Sequence, residues 1–178
     1  MTLYKSLVRS LLEFCCPLWN PWKITDIQLL EGVQRTVTSK IIEVKHLKYW
    51  DRLKVLGLMS LQRRRERYII LLMWKIKNEM CPNDVEIQFT PPSRLGVRAK
   101  VPPLSKNSMM RHQTTYDYSF SVMGPKLWNV IPSDLTLIDD FQNFKTRLTS
   151  FLKNIPDQPP IRGYTSPDNS LVDWYGKW

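Results

Sequence analysis

The chain has 178 residues, is 43% hydrophobic with seven Trp, and carries a formal net charge of +10. That suits one domain, or one plus a tail, with enough apolar material for a core. Three cysteines, Cys15, Cys16 and Cys81, two of them adjacent, indicate no disulfide framework. The apolar-rich opening at residues 3–14 is too short and, with Lys5, Arg9 and Glu13, too charged to cross a membrane. No secretory signal pattern is present, so a reducing intracellular setting, nucleus or cytoplasm, is expected. The charge is uneven. Residues 1–80 hold 15 Lys+Arg against 7 Asp+Glu (+8), and residues 81–178 hold 11 against 9 (+2). Such a basic half suggests nucleic acid or an acidic partner.

In residues 2–14, Leu3, Leu7, Val8, Leu11 and Leu12 recur at helical spacing. Pro17 and Pro21 break the next stretch, which Trp19 and Trp22 anchor. Thr25 and Gln28 form a capping-box pair for a second helix, with Ile24, Ile27, Leu30, Val33, Val37 and Ile41 on one face. A short helix over residues 49–56 is closed by Gly57. Residues 60–80 then read as one long helix, capped by Ser60 and unbroken until Pro82. Its first turns carry Arg63, Arg64, Arg65 and Arg67, while residues 68–74 are apolar on every side, as in the middle of a bundle.

From Cys81 the texture changes. Pro82, Pro91, Pro92, Pro102 and Pro103 indicate an extended linker, in which residues 97–104 and 113–121 are candidate edge strands of a short hairpin. Residues 120–131 restore helical spacing up to Pro132, although Gly124-Pro125-Lys126 also reads as a helix start with Pro in first position. Asp139 or Asp140 starts a last helix to Lys153, with Phe141, Phe144, Leu148 and Phe151 on one stripe. Residues after Pro156 look like a tail. The fold class expected is mainly α: a basic helical domain (1–80), a proline-rich linker (81–119), two helices packing back on the first domain (120–154) and a flexible tail (155–178).

No metal or cofactor is expected. His46 and His112 lie far apart in sequence, and adjacent Cys15-Cys16 lacks the spacing that lets two thiolates reach one ion. Asp139-Asp140 is the only adjacent acidic pair, and at the start of a phenylalanine-rich helix it reads as a cap. The arginine cluster carries the strongest functional signal. Arginines near a helix N-terminus oppose the dipole, and Arg63 and Arg67 repel at i, i+4, so an anion is wanted nearby. Between Arg35 and Lys77 there are 12 Lys+Arg and 3 Asp+Glu, interleaved with Tyr49, Trp50, Tyr68 and Trp74. Two readings stand at this point: a nucleic-acid surface of Lys45, Lys48, Arg52, Lys54, Arg63, Arg64 and Arg67, or internal pairing with Glu43, Asp51 and Glu66.

Several stretches resemble a known family. They are residues 3–14 with Trp19; residues 27–35, containing Leu30-Glu31-Gly32-Val33-Gln34-Arg35; Tyr49-Trp50-Asp51-Arg52-Leu53 on to Leu58; and Ser60-Leu61-Gln62-Arg63-Arg64. Leu127-Trp128-Asn129-Val130-Ile131-Pro132 and residues 144–151 complete the series. In order and spacing the chain resembles the region after the palm (thumb and beyond) of reverse transcriptases from jockey-like non-LTR retrotransposons. The resemblance implies a truncated C-terminal fragment of an RNA-directed DNA polymerase. The family's aromatic-x-Asp-Asp catalytic box has no counterpart here, so the fragment is not expected to be an enzyme by itself. It implies RNA or DNA as partner through phosphate contacts, and a polymerase palm domain as neighbour in the full-length protein. The phosphate reading of the arginines gains from it. The competing expectations are a helical protein-interaction module using Trp19, Trp22 and Trp74, and a retroelement remnant without function.

Overall fold

A computed structural model describes residues 2–81, 87–102, 113–164 and 169–175. A π-helical turn, Tyr4–Val8, runs into α1 (Arg9–Glu13); α2 (Cys16–Trp19), α3 (Ile24–Ser39), α4 (Tyr49–Val55) and α5 (Leu61–Lys77) follow. Then come α6 (Gln113–Asp117), α7 (Phe120–Val130), α8 (Ser133–Thr136), α9 (Phe141–Lys153) and α10 (Leu171–Tyr175). The fold is mainly α. It forms two compact units, residues 1–66 with 153–178, and residues 67–152, and the division falls inside α5.

The local stop and start signals act as their chemistry dictates. Gly57, at φ +61°, ends α4 in a Schellman motif: the Leu58 N–H reaches the Leu53 carbonyl at 2.8 Å and the Gly57 N–H reaches the Lys54 carbonyl at 3.1 Å. The Ser60 hydroxyl accepts the Arg63 amide at 2.9 Å, and Asp140 accepts the Asn143 amide at 2.6 Å, each capping the helix that follows.

In the first unit α3 buries a mostly polar stripe, with Ile27 its one apolar member. Its inward stripe is Ile27, Glu31, Gln34 and Thr38. The Glu31 carboxylate accepts the Tyr49 hydroxyl and the Gln62 amide, both at 2.7 Å. Gln34 accepts the Tyr4 hydroxyl at 2.8 Å and donates to Tyr49 Oη at 3.1 Å and the Met59 carbonyl at 3.2 Å. Because these polar groups satisfy one another, the helix tolerates a hydrophilic face in the core. Leu29 and Val33 are left exposed. The capping box is not formed either: α3 begins at Ile24 after an extended Lys23, and the Gln28 amide goes to the Ile161 carbonyl at 3.1 Å. In the first helix Leu3, Leu7 and Leu11 face outward, while Tyr4 and Glu13 are buried.

The described part of residues 155–178 is no tail. Ile161 packs against Tyr49 and Leu53, with Trp50 and Leu58 around them. Asp157 accepts the Ser60 amide at 2.7 Å, and Leu171 is fully buried.

In the second unit the ring of Trp74 stacks on Phe144 at 5.8 Å, and Trp128 lies 6.0 Å from Phe144. Both indoles are hydrogen-bonded, Trp74 to the Ile138 carbonyl and Trp128 to the Val97 carbonyl, each at 2.7 Å. The described residues of the expected linker belong to this unit and are not an independent spacer. Residues 88–90 and 98–100 pair antiparallel through the isolated Phe89↔Ala99 bridge, so residues 98–100 pair with an earlier segment and the expected hairpin with residues 113–121 does not form. Gln113–Asp117, an expected strand, is helical, and residues 103–104 lie outside the described residues. Pro125 sits inside α7 rather than starting it. Residues 120–152 group with the second half of α5, not with residues 1–66.

Candidate nucleic-acid interface

The arginines of α5 were expected to form one basic surface, and the structure separates them. Arg63 is completely buried: its guanidinium donates to the Pro156 carbonyl at 3.1 Å and to the Asn169 carbonyl at 2.9 Å, with Glu66 at 3.7 Å. Arg64 forks onto Glu13, one arm at 2.8 Å. Arg65 is also fully buried and donates to Asn20 at 3.1 Å. Arg67, nearly buried, donates to the Thr149 hydroxyl at 3.0 Å within the second unit. Arg63 and Arg67 are thus corrected from surface groups to internal ones. A buried guanidinium needs many acceptors; the Pro156 and Asn169 carbonyls match only Arg63 Nη2, while Arg63 Nε and Nη1 and both Arg65 Nη atoms have no hydrogen-bond partner among the described residues. Glu66, raised in pKa by burial, accepts the Ser170 hydroxyl at 2.7 Å and the Leu171 amide at 3.1 Å, so the α5 N-terminus anchors the C-terminal segment.

Lys45, Lys48 and Lys54 are exposed as expected. Lys48 joins something the sequence did not reveal. Between α3, α4 and the Ile161–Tyr164 turn lies a groove of about 1330 Å³. Its basic lining is Arg35, Lys48, Arg52 and Arg162, and no carboxylate lines it among the described residues. The apolar lining includes Leu29, Val33, Val37 and Leu47, the α3 residues being the ones its polar core stripe left outside. Trp50 stands at the wall, its ring 4.7 Å from Tyr164 and its indole N–H on the Pro159 carbonyl at 3.4 Å.

Arg52 is 6% exposed, and its Nε has no hydrogen-bond partner among the described residues. Its other nitrogens make only long contacts, 3.4 Å each, to the carbonyls of Leu47 and Arg35. The Tyr49 ring lies 5.8 Å from the guanidinium. Burial, and then the neighbouring Arg35 charge, lower its pKa from the ordinary arginine value. The site therefore concentrates positive charge without an internal anion. Arg35 and Arg162 were not picked out from the sequence. The Arg35 guanidinium donates to the Arg162 carbonyl across 127 positions, a proximity no local pattern encodes.

Other candidates reduce to structure. Asp139 pairs with Lys77 at 3.3 Å and Asp140 caps α9. Among the described residues no group of three or more His, Cys, Asp or Glu is placed to hold a metal ion, and His112 lies outside them. Cys16 is buried, its thiol pushed up to about 11 by desolvation, while Cys15 is exposed. Among the described residues no helix is long and apolar enough to cross a membrane. No family model, curated protein or solved structure matches the chain.

Proposed function

We propose that the chain is the post-palm part of a jockey-like non-LTR retrotransposon RNA-directed DNA polymerase, and that it holds the phosphate backbone of RNA or DNA without transferring nucleotides itself. The origin rests on the order and spacing of the motifs from Leu3 to Phe151. The binding role rests on one observation, the groove whose four cations, Arg35, Lys48, Arg52 and Arg162, have no carboxylate beside them in its described lining. Arginine suits this task because its guanidinium matches phosphate geometry and stays charged. Exposed Lys45 and Lys54 add field around it, while Arg63 and Arg67 serve the fold.

Contacts of this kind release condensed counterions, with a slope of about −0.7 to −0.9 in log K against log salt per phosphate neutralised. Four groove cations give a slope near −3, and the affinity for any mixed-sequence oligonucleotide should fall roughly 50-fold from about 50 to about 200 mM salt. An equilibrium titration at the two salt concentrations tests this. Binding that ignores salt, or no binding, overturns it. A primer-extension assay with magnesium should yield no product.

A second reading is a protein-interaction module, in which this chain docks on a polymerase palm domain. Exposed Leu3, Leu7, Leu11, Phe14 and Leu18 support it, since so many large apolar side chains on one short segment commonly mark a contact surface. Trp19 and Trp22 are about 40% exposed and suit that role, whereas Trp74 is taken up by the core of the second unit.

A further inference from the structure

We infer that the groove of the first unit is a single-strand site, taking an unpaired stretch of RNA or DNA with phosphates on Arg35 and Arg52 and bases against Trp50 and the apolar α3 residues. The inference rests on the nucleic-acid reading and narrows it to one class of ligand.

Three features of the groove carry it. The first is its mixed lining. A duplex turns its phosphates and sugars outward and keeps its base faces stacked inside, so Leu29, Val33, Val37 and Leu47 would meet only charged backbone. A single strand offers both chemistries side by side, phosphates for cations and flat apolar base faces for aromatic and aliphatic side chains.

The second is the position of Arg52. At 6% exposed, with Nε unpartnered and its remaining contacts stretched to 3.4 Å, it is a buried cation lacking an anion. A guanidinium has five N–H donors, and leaving them unmatched in a desolvated site is costly. A flexible strand can lower one phosphate to the floor of a groove. A stiff double helix cannot bend a phosphate inward in this way and meets the exposed Lys48 and Arg162 instead.

The third is size. About 1330 Å³ exceeds the roughly 300–1,000 Å³ common for small-molecule sites, which favours a polymer segment over a free mononucleotide. Charge decides between polymers: a neutral or basic peptide has no use for four cations.

The test is fluorescence anisotropy on the full chain with three probes: a mixed-sequence single-stranded RNA of about twelve nucleotides, the duplex of the same sequence, and a poly-glutamate peptide of equal charge. The single strand should bind at least about tenfold tighter than the duplex. Arg35→Gln with Arg162→Gln, both side chains solvent-accessible, should weaken single-strand binding by about tenfold for each arginine replaced, and duplex binding, which loses only the Arg162 contact, by clearly less. Arg52→Gln should do the same, with circular dichroism confirming that it folds. If Arg52→Gln unfolds, the Arg35 and Arg162 pair decides alone. Equal or tighter duplex binding, or single-strand binding indifferent to the groove substitutions, overturns the single-strand inference and leaves the nucleic-acid reading standing. Preference for poly-glutamate overturns the inference in favour of an acidic protein ligand. No binding to either nucleic acid overturns both.

Discussion

The Tyr49 hydroxyl donates to Glu31 Oε2 at 2.7 Å, and this contact joins α4 to a carboxylate that has no exposed surface at all. Desolvation pushes the Glu31 carboxyl from 4.5 up to about 7, against the opposing pull of the Tyr49 and Gln62 donors. A raised carboxyl pKa means that the folded state binds a proton the unfolded state has already lost. Its contribution is therefore fully present below pH 4.5, is lost as pH rises toward about 7, and is flat above. The shift corresponds to about 3 kcal/mol. Urea melts of the native chain and of Glu31→Gln at a series of pH values should differ by a slope confined to that window. Parallel stability curves would show that the Glu31 pKa does not change on folding.

Arg63 and Glu66 form a buried pair whose remaining bonds hold the Pro156 and Asn169 carbonyls and the Leu171 amide. Truncating one member leaves the other desolvated. Arg63→Ala should lower stability by about 3–5 kcal/mol. It should also raise hydrogen exchange at the Leu171 amide before that of the second unit. Arg63→Glu should fail to fold, so any drop in nucleic-acid binding by that variant would say nothing about phosphate contact. A mild effect on both readouts would return Arg63 to the surface.

What could be read in advance was whatever depends on a few neighbouring residues. Ser60, Gly57 and Asp140 announce their caps because a cap is made within four positions. The length of α5 and its apolar middle follow from the same short range. The face that α3 buries was not legible: an apolar stripe is the usual inward face, and only Tyr4 and Tyr49, 30 and 15 positions from Gln34, make a polar one stable. The make-up of the groove was not legible for the same reason. Of the seven residues expected to contact phosphate, Lys48 and Arg52 line the groove, and its other two cations come from α3 and from a segment that composition marked as tail. Proline density signals irregular backbone, not absence of packing: Pro159, Pro160 and Ile161 are buried in an irregular stretch.

Glu79 ends α5 in a left-handed conformation, at φ +55°, where the Met80 amide reaches the Lys75 carbonyl at 2.8 Å. This is the geometry that Gly57 provides after α4 without a Cβ penalty. Glu79→Gly should therefore stabilise the protein by about 0.5–1 kcal/mol, and Gly57→Ala should cost about 1 kcal/mol. Opposite shifts in thermal midpoint from the two substitutions would bear this out. Destabilisation by Glu79→Gly would mean that its side chain holds something beyond the backbone turn.

Gly96 sits where the second unit closes on itself. Its φ is +78°, and a Cβ there would lie 2.4 Å from Thr136 Oγ1 and 2.9 Å from the Ser133 backbone. The same Thr136 hydroxyl accepts the Val97 amide at 2.9 Å and donates to the Ser133 carbonyl at 2.7 Å, so it has no room to retreat without breaking both. Val97 in turn presents its carbonyl to the buried Trp128 indole. Gly96→Ala therefore combines backbone strain of about 1–2 kcal/mol with rupture of a buried hydrogen bond worth about 1–3 kcal/mol. Trp128→Phe removes the indole donor, which should cost about 1–3 kcal/mol by leaving the Val97 carbonyl unpaired, and also leaves a cavity where the larger fully buried ring was. Near-ultraviolet circular dichroism during denaturant melts should show both variants destabilised, each by more than about 1 kcal/mol. A midpoint unchanged by Gly96→Ala would mean that the Ser133–Thr136 turn gives way freely and does not brace the Trp128 core.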